Sequence, residues 1–386
     1  MEKTTTALPR KSKQAGNMPA LFVRGQADPA FLILVLVILA IGLIMLFSAS
    51  YASAWYSEGD SFYYIKRQSV FAVIGLCGMF LLSRVNYKYF KVATPLLYGL
   101  SIVLLVLVLL IGKGDGVEKR WIYMGFFNLQ PSEIAKLAVI LMLALYFSAN
   151  YERLKTFSRG ILLPCCIFGL AGGLVLIEPH LSGAVLICGV GFMMMVAAGC
   201  HRGWLVVMAI CVAVGLVAVA LTVPYMQARV ATWLDPSSDP QNNGYQLLQS
   251  LYAIGSGGLT GQGIGQSRQK YLYVSMPQND FIFSVVAEEL GFVGVVVILG
   301  LFAALIYKGF RIALDAPDKF SSLLVFGIMS RLALQVFLNL AVVSNLIPVT
   351  GIALPFFSSG GTAMVMQLVE MGLVLSVSRQ SRMQKV

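Results

Sequence analysis

The chain has 386 residues, of which 58% are hydrophobic and only 12% charged. A water-soluble domain carries about twice that charged fraction, so the composition excludes a globule with a polar coat and requires a bilayer as solvent. The net charge of +11 reads as an orientation signal on loops, and no nucleic acid is expected as a partner.

Residues 1–27 are polar and basic, with Lys3, Arg10, Lys11, Lys13 and Arg24, and read as a disordered cytoplasmic tail. The first apolar run is long enough to span and lacks a small-residue cleavage site, so no cleavable signal peptide is expected. A crossing helix needs roughly 20 apolar residues. Ten such spans follow, near 30–50, 68–84, 93–112, 131–149, 160–177, 181–199, 203–224, 281–308, 321–346 and 360–379. The expected fold class is an all-α polytopic membrane protein with about ten transmembrane helices, built as one membrane domain over 28–380. Residues 381–386 form a short cytoplasmic tail. Lys and Arg in the loops number 18 on the side of both termini and eight on the other, which places both ends in the cytoplasm.

One loop is long. Residues 224–281, between the seventh and eighth spans, form the extracellular exception to short connections, and long loops are usually functional. Short amphipathic helices are expected there near 226–234 and 244–255.

Cys77, Cys165, Cys166, Cys188, Cys200 and Cys211 fall within or at the end of apolar segments, with no CxxC, and His180 and His201 are the two histidines. Neither a disulfide framework nor a His/Cys metal site is expected from this pattern.

Several ionisable groups lie where a bilayer should not tolerate them. Gln130-Pro131-Ser132-Glu133 opens the fourth span, and Lys136 sits three residues after Glu133 on the same helical face. The pair is either a structural ion pair or the wall of a wet cavity that receives an anionic substrate. Arg331, Gln335 and Asn339 recur every four residues in the ninth span, as a buried polar stripe. Glu288 and Glu289 lie just inside the eighth span, and Glu370 lies in the tenth. So many buried charges imply a hydrated path or pocket.

The segment from Gly255 to Gly265 has glycine spacings like those of nucleotide loops, but no strand precedes it and no Walker lysine follows. Glycine there permits a tight turn and close backbone approach to a ligand. Arg268 and Lys270 follow, and Asp280 immediately precedes the apolar Phe281-Ile282-Phe283 run. Cations near a carboxylate suit chemistry on a phosphate-bearing substrate, and partial desolvation would raise the carboxylate's pKa. An Asp before a helix is also an ordinary N-cap.

These segments in order resemble the SEDS family (shape, elongation, division and sporulation proteins). The matching stretches include Arg67-Gln68, Arg120-Trp121-Ile122, Gln130-Pro131-Ser132-Glu133 with Lys136, and Gly244-Tyr245-Gln246 through Gly265. They continue with Pro277-Gln278-Asn279-Asp280-Phe281-Ile282-Phe283-Ser284, Glu288-Glu289-Leu290-Gly291, Pro348-Val349-Thr350-Gly351 and Leu354-Pro355-Phe356-Phe357-Ser358-Ser359-Gly360-Gly361. The resemblance covers nearly the whole chain after residue 28. It is closer to the division and sporulation branch (FtsW and SpoVE) than to RodA. Two departures stand out. The family's Pro-Asp-Leu-Gly-Thr reads Pro179-His180-Leu181-Ser182-Gly183, so no role of that Asp transfers to His180. Its Ser-Tyr-Gly-Gly reads Ser358-Ser359-Gly360-Gly361, without the aromatic ring.

The resemblance implies a peptidoglycan glycosyltransferase in the bacterial cell membrane that polymerises lipid II during septal cell-wall synthesis. By motif position it implies Asp280 as the essential carboxylate, with Arg67, Arg120 and Lys136 lining the substrate cavity. Gln246 and Gln249 are added as hydrogen-bonding cavity residues, and Arg268 and Lys270 as substrate-binding cations. Glu133, Glu288 and Arg331 are read as ion-pair or cavity residues. A divalent cation, Mg or Mn, is left open as a cofactor, with Asp280 as its candidate ligand. The implied partners are a class B penicillin-binding protein, other divisome proteins and membrane lipid. The alternatives are a lipid II flippase, a RodA-like elongation polymerase, and a division scaffold without activity. The scaffold gives no reason to keep a polar stripe and a paired lysine inside the bilayer.

Overall fold

The computed structural model describes residues 21–383, apart from 24, 113–119, 126–127, 223, 239–242 and 272–276. The expected basic tail lies largely outside the described residues. In chain order the helices are α1 (Pro29–Glu58), α2 (Tyr63–Arg84), α3 (Tyr87–Ile111), α4 (Pro131–Asn150), α5 (Leu163–Ile177, entered through a wide turn at Ser158–Leu162) and α6 (Leu181–Ala197). They continue as α7 (Arg202–Thr222), α8 (Pro224–Leu234), α9 (Asn243–Gly257), α10 (Ile282–Leu314), α11 (Lys319–Val343) and α12 (Gly361–Met383). A small antiparallel hairpin, β1 (Ile122–Tyr123) with β2 (Asn128–Leu129), closes the connection between α3 and α4.

Eight of these helices are long and apolar enough to cross a membrane, and α6 and α7 add two shorter apolar segments. The chain is a multi-pass membrane protein of the expected all-α class. Local chemistry sets the ends. Asp28 caps α1 by accepting from Phe31 N at 3.0 Å, with Pro29 in the first turn, and Asp318 and Ser321 form a reciprocal capping box on α11. The long loop carries α8 and α9 where two amphipathic helices are expected.

The structure lengthens some spans. α1 runs to Glu58 rather than ending near 50, because its last two turns are Ser-, Ala- and Tyr-rich and lack apolar periodicity while remaining helical. α10 is also not a single rod. Gly291 has φ 64° and ψ −170°, which breaks the helix into 282–290 and 292–314. The carbonyls freed at Glu288 and Glu289 accept from the amides of Gln262 and Gly263, both at 3.0 Å, while Phe292 N and Val293 N donate to Gly258 O and Leu259 O. The glycine-rich segment therefore caps a broken helix: the close approach that its glycines permit is to the α10 backbone and not to a ligand.

Helices α4, α11 and α12 form the buried centre, with α2 against α12 and α6 against α4 and α11. Charges lie at this centre. Lys136 pairs with Glu133 at 2.6 Å on α4, and Arg331 of α11 reaches Glu370 of α12, Nε to Oε2 at 2.9 Å. Arg331 also donates to Gln335 Oε1 at 3.0 Å and to Gln367. Each charge buried here has an opposite partner, as low-dielectric surroundings demand.

Candidate active site

Three stretches meet at the end of the bundle that carries the long loop: the 277–281 turn, the 344–360 connection, and residues 120–125 with 128–130 ahead of α4. Asn339 on α11 holds two of them, donating from one amide to Asp280 O at 2.8 Å and to Ile352 O at 2.6 Å. Gln335, one turn away, donates to Ala353 O at 2.9 Å. Ser359 N donates to Gln278 O at 2.8 Å, and Ser53 of α1 donates to Gln278 Oε1 at 3.1 Å. Thr362 donates to Asn128 O at 2.7 Å, which fixes the hairpin. The polar stripe on α11 thus serves as a clamp for the loops.

Between them lies a cavity of ≈ 290 Å³. Asp280 opens into it from the turn before α10, Lys136 and Glu133 from the first turns of α4, and Arg120 with Trp121 from beside β1. Gln335 and Ser359 add hydrogen-bonding walls. Burial holds the Asp280 carboxyl above the usual carboxylate range, against the opposing pull of its own backbone N–H and of Arg229. Arg229, on α8, also donates to Val349 O, so the long loop and the 344–360 connection are tied beside Asp280.

Arg120 donates to Pro179 O, beside Glu178 and His180. Glu178 is 1% exposed, and neither of its carboxylate oxygens has a hydrogen-bond partner among the described residues. Burial lifts its pKa to about 8 although Arg120 opposes the shift, so it is largely protonated at neutral pH. His180 faces the cavity with Nδ1 3.3 Å from Ser132 Oγ. Burial, then the charges of Arg120 and Lys136, push it down to about 3 and keep it neutral.

The other expected site residues go elsewhere. Arg67 lines a smaller neighbouring cavity of ≈ 150 Å³ that shares Trp121, Ser359 and Gly360 with the first. Gln246 and Gln249 are half-buried on α9, which packs on α10 and α11, and neither lines the Asp280 cavity. Lys270 corrects an expectation: it is 2% exposed, pairs with Glu289 at 3.1 Å and donates to Gly265 O at 2.6 Å. Its ammonium is paired within the loop and, unlike Lys136, does not line the Asp280 cavity. Arg268 offers its backbone N–H to Glu288 Oε1 at 2.9 Å, and Glu288 also accepts from Ser267 Oγ. Ser48 on α1 donates to both oxygens of Glu289 at 2.7 Å. Glu288 and Glu289 therefore fasten the loop to α10 and α1, away from the lining of the Asp280 cavity. Arg331 lies behind the cavity, against a void of ≈ 30 Å³ shared with Glu133 and Gln335, about the size of one water. Glu178 was missed by the sequence reading. Its signal was an acid in a three-residue turn between two apolar runs.

A sequence model of the FtsW/RodA/SpoVE group, described as "Cell cycle protein", matches residues 29–383. The chain belongs to this family. It is similar to stage V sporulation protein E of Bacillus subtilis (strain 168), 42% identical over 92% of this chain and 98% of that one. It is similar also to the probable peptidoglycan glycosyltransferase FtsW of Geobacter metallireducens, 36% identical over 92% and 95%. Among solved structures, a chain from a peptidoglycan synthase complex that coordinates polymerization and crosslinking matches with TM-score 0.78 and 32% identity, over 92% of this chain and 98% of that one. The rod shape determining protein RodA of Thermus thermophilus matches with TM-score 0.68 and 32% identity, over 92% and 97%. As an FtsW/RodA/SpoVE protein, the chain shares its membrane fold with the two solved relatives over 92% of its length.

Proposed function

We propose that this chain is a peptidoglycan glycosyltransferase that polymerises lipid II during cell division, with Asp280 as its catalytic carboxylate. The observation that carries the reading is a polar cavity in the bundle that brings Asp280 together with two cations, Arg120 and Lys136. The names of the FtsW relatives support the reaction class.

The 4-hydroxyl of the acceptor GlcNAc attacks C1 of the donor MurNAc. The new β-1,4 C–O bond forms as the C1–O bond to undecaprenyl pyrophosphate breaks, and the pyrophosphate leaves with the electron pair. Asp280 takes the hydroxyl proton. Burial raises its pKa, which strengthens it as a base. Arg120 and Lys136 face the charge that builds on the departing pyrophosphate. Among the described residues no three His, Cys, Asp or Glu side chains converge on a metal site. A divalent ion here would take Asp280 as its carboxylate ligand and phosphate oxygens of the substrate for others, and would supply extra charge neutralisation.

The reading places both termini in the cytoplasm, so that Asp280 meets the lipid II headgroup on the outer leaflet. It also assigns a class B penicillin-binding protein as the crosslinking partner, in keeping with the synthase complex that contains the structural relative. Vesicles reconstituted with the full chain and lipid II separate polymerase from flippase. Glycan polymer is the expected product. Movement of lipid II between leaflets with no polymer formed would overturn the reading.

A further inference from the structure

A second and larger pocket, of ≈ 630 Å³, opens where α1 ends and α2 begins. Its volume lies in the range of ligand pockets, ~300–1,000 Å³. The rings of Tyr51, Trp55, Tyr56, Phe62 and Tyr271 converge on it from three stretches of chain. Trp55 and Tyr56 are 63% and 70% exposed, so both present open faces.

The wall is built. Phe62 stacks on Phe47 with centroids 5.2 Å apart, and Tyr51 meets the same ring edge-on at 5.9 Å. Tyr271 directly follows Lys270, whose buried pairing with Glu289 fixes that part of the loop, and the Lys270 ammonium lies 5.9 Å from the Tyr271 ring. On the rim, Lys66 pairs with Asp60 at 2.7 Å, and Asp60 also accepts from Phe62 N at 2.9 Å.

The lining says what class of ligand fits. Among the described residues it contains no Val, Ile, Leu or Met, with Ala52 the single aliphatic side chain, in a chain that is 58% hydrophobic. A polyprenyl tail would call for the reverse. The rim cation is already matched by Asp60, so the pocket is no trap for pyrophosphate. A membrane-interface belt of aromatics points outward to lipid, whereas these rings surround a hollow. Flat faces beside hydroxyl, carboxylate and ammonium groups suit a pyranose ring, which has C–H faces to stack and hydroxyls to bond.

We propose that this pocket binds a β-1,4-linked amino-sugar chain, the growing glycan strand, as a product site separate from the Asp280 cavity. The identity of the occupant rests on the polymerase reading above. The two sites share the loop-bearing end of the bundle, and Ser53, between Tyr51 and Trp55 on α1, donates to Gln278, two residues before Asp280.

The test uses the full-length chain in nanodiscs and chitohexaose, a soluble β-1,4-linked N-acetylglucosamine oligomer, as probe, with Trp55 as the fluorescent reporter. Saturable quenching is expected, removed by Trp55→Phe but kept in Trp204→Ala and Asp280→Asn. Affinity should fall about tenfold in Tyr56→Ala and Tyr271→Ala, the loss of one stacked ring. With lipid II, Tyr56→Ala should give shorter strands per lipid II consumed. Absence of quenching in the wild type, or affinity unmoved by both tyrosine variants, would overturn the inference. A chain that binds the probe but makes no polymer from lipid II would overturn the polymerase reading, and with it the occupant, while supporting the sugar site.

Discussion

At the scale of single residues, Glu178 couples a structural cost to the state of the cavity. Its carboxyl titrates at about 8, against an ordinary 4.5, because it is buried. A raised folded-state pKa means that ionisation opposes folding: the penalty is absent below the ordinary value, grows as pH climbs and is complete above about 8. Glu178→Gln removes a group that has to charge, so its stability gain over wild type should widen between about pH 6 and about pH 9. The widening is on the order of a few kcal/mol, and thermal melts at the two pH values measure it. An unchanged difference would show that Glu178 is not buried as an acid. Residue chemistry was legible where sequence neighbours decide it. Glu133 with Lys136 and Arg331 with Gln335 follow from helical spacing, and both contacts are made. The Lys270–Glu289 pair was not legible, since 18 intervening residues and a broken helix bring them together.

At the scale of elements, α10 read from hydropathy as one span, and periodicity has no way to register a single residue with a positive φ. The break at Gly291 follows only from the loop that packs on it. A Cβ at Gly291 would lie 2.2 Å from Gly261 N and 2.7 Å from Leu259 O, backbone atoms that cannot give way, in a conformation that already disfavours side chains. Gly291→Ala should therefore lower thermal stability severely, by several kcal/mol, and detach the 258–271 loop. A Cβ at Gly300, in the second half of the same helix, would meet nothing within 4 Å, so Gly300→Ala should be neutral or stabilising by up to about 1 kcal/mol. Melting curves of the two variants in one detergent decide the point. Equal effects would mean that the break is not structural. The amphipathic α8 and α9 were legible because their apolar faces repeat locally.

For the whole molecule, ten apolar segments fixed the class, and hydropathy alone sufficed because every crossing must satisfy its own backbone. What hydropathy left open was how the charges on α4, α11 and α12 join. Arg331 binds Glu370, and Glu370 reaches no other partner through its Oε1 among the described residues. Arg331→Met leaves a buried carboxylate without its cation and should cost about 3–5 kcal/mol, while Arg331→Met combined with Glu370→Met should recover most of it. A double-mutant cycle in thermal unfolding measures this, and additive losses would show that the two groups do not interact. The same centre supports the loop clamp that holds Asp280 at the cavity. The central claim is that Asp280 is the carboxylate that takes the proton in glycan polymerisation. Gel analysis of strands made from lipid II by purified wild type and Asp280→Asn, each with its crosslinking partner, tests it most directly. Strands from the wild type and none from a folded Asp280→Asn that still binds lipid II is the predicted result; full-length strands from the variant would contradict it.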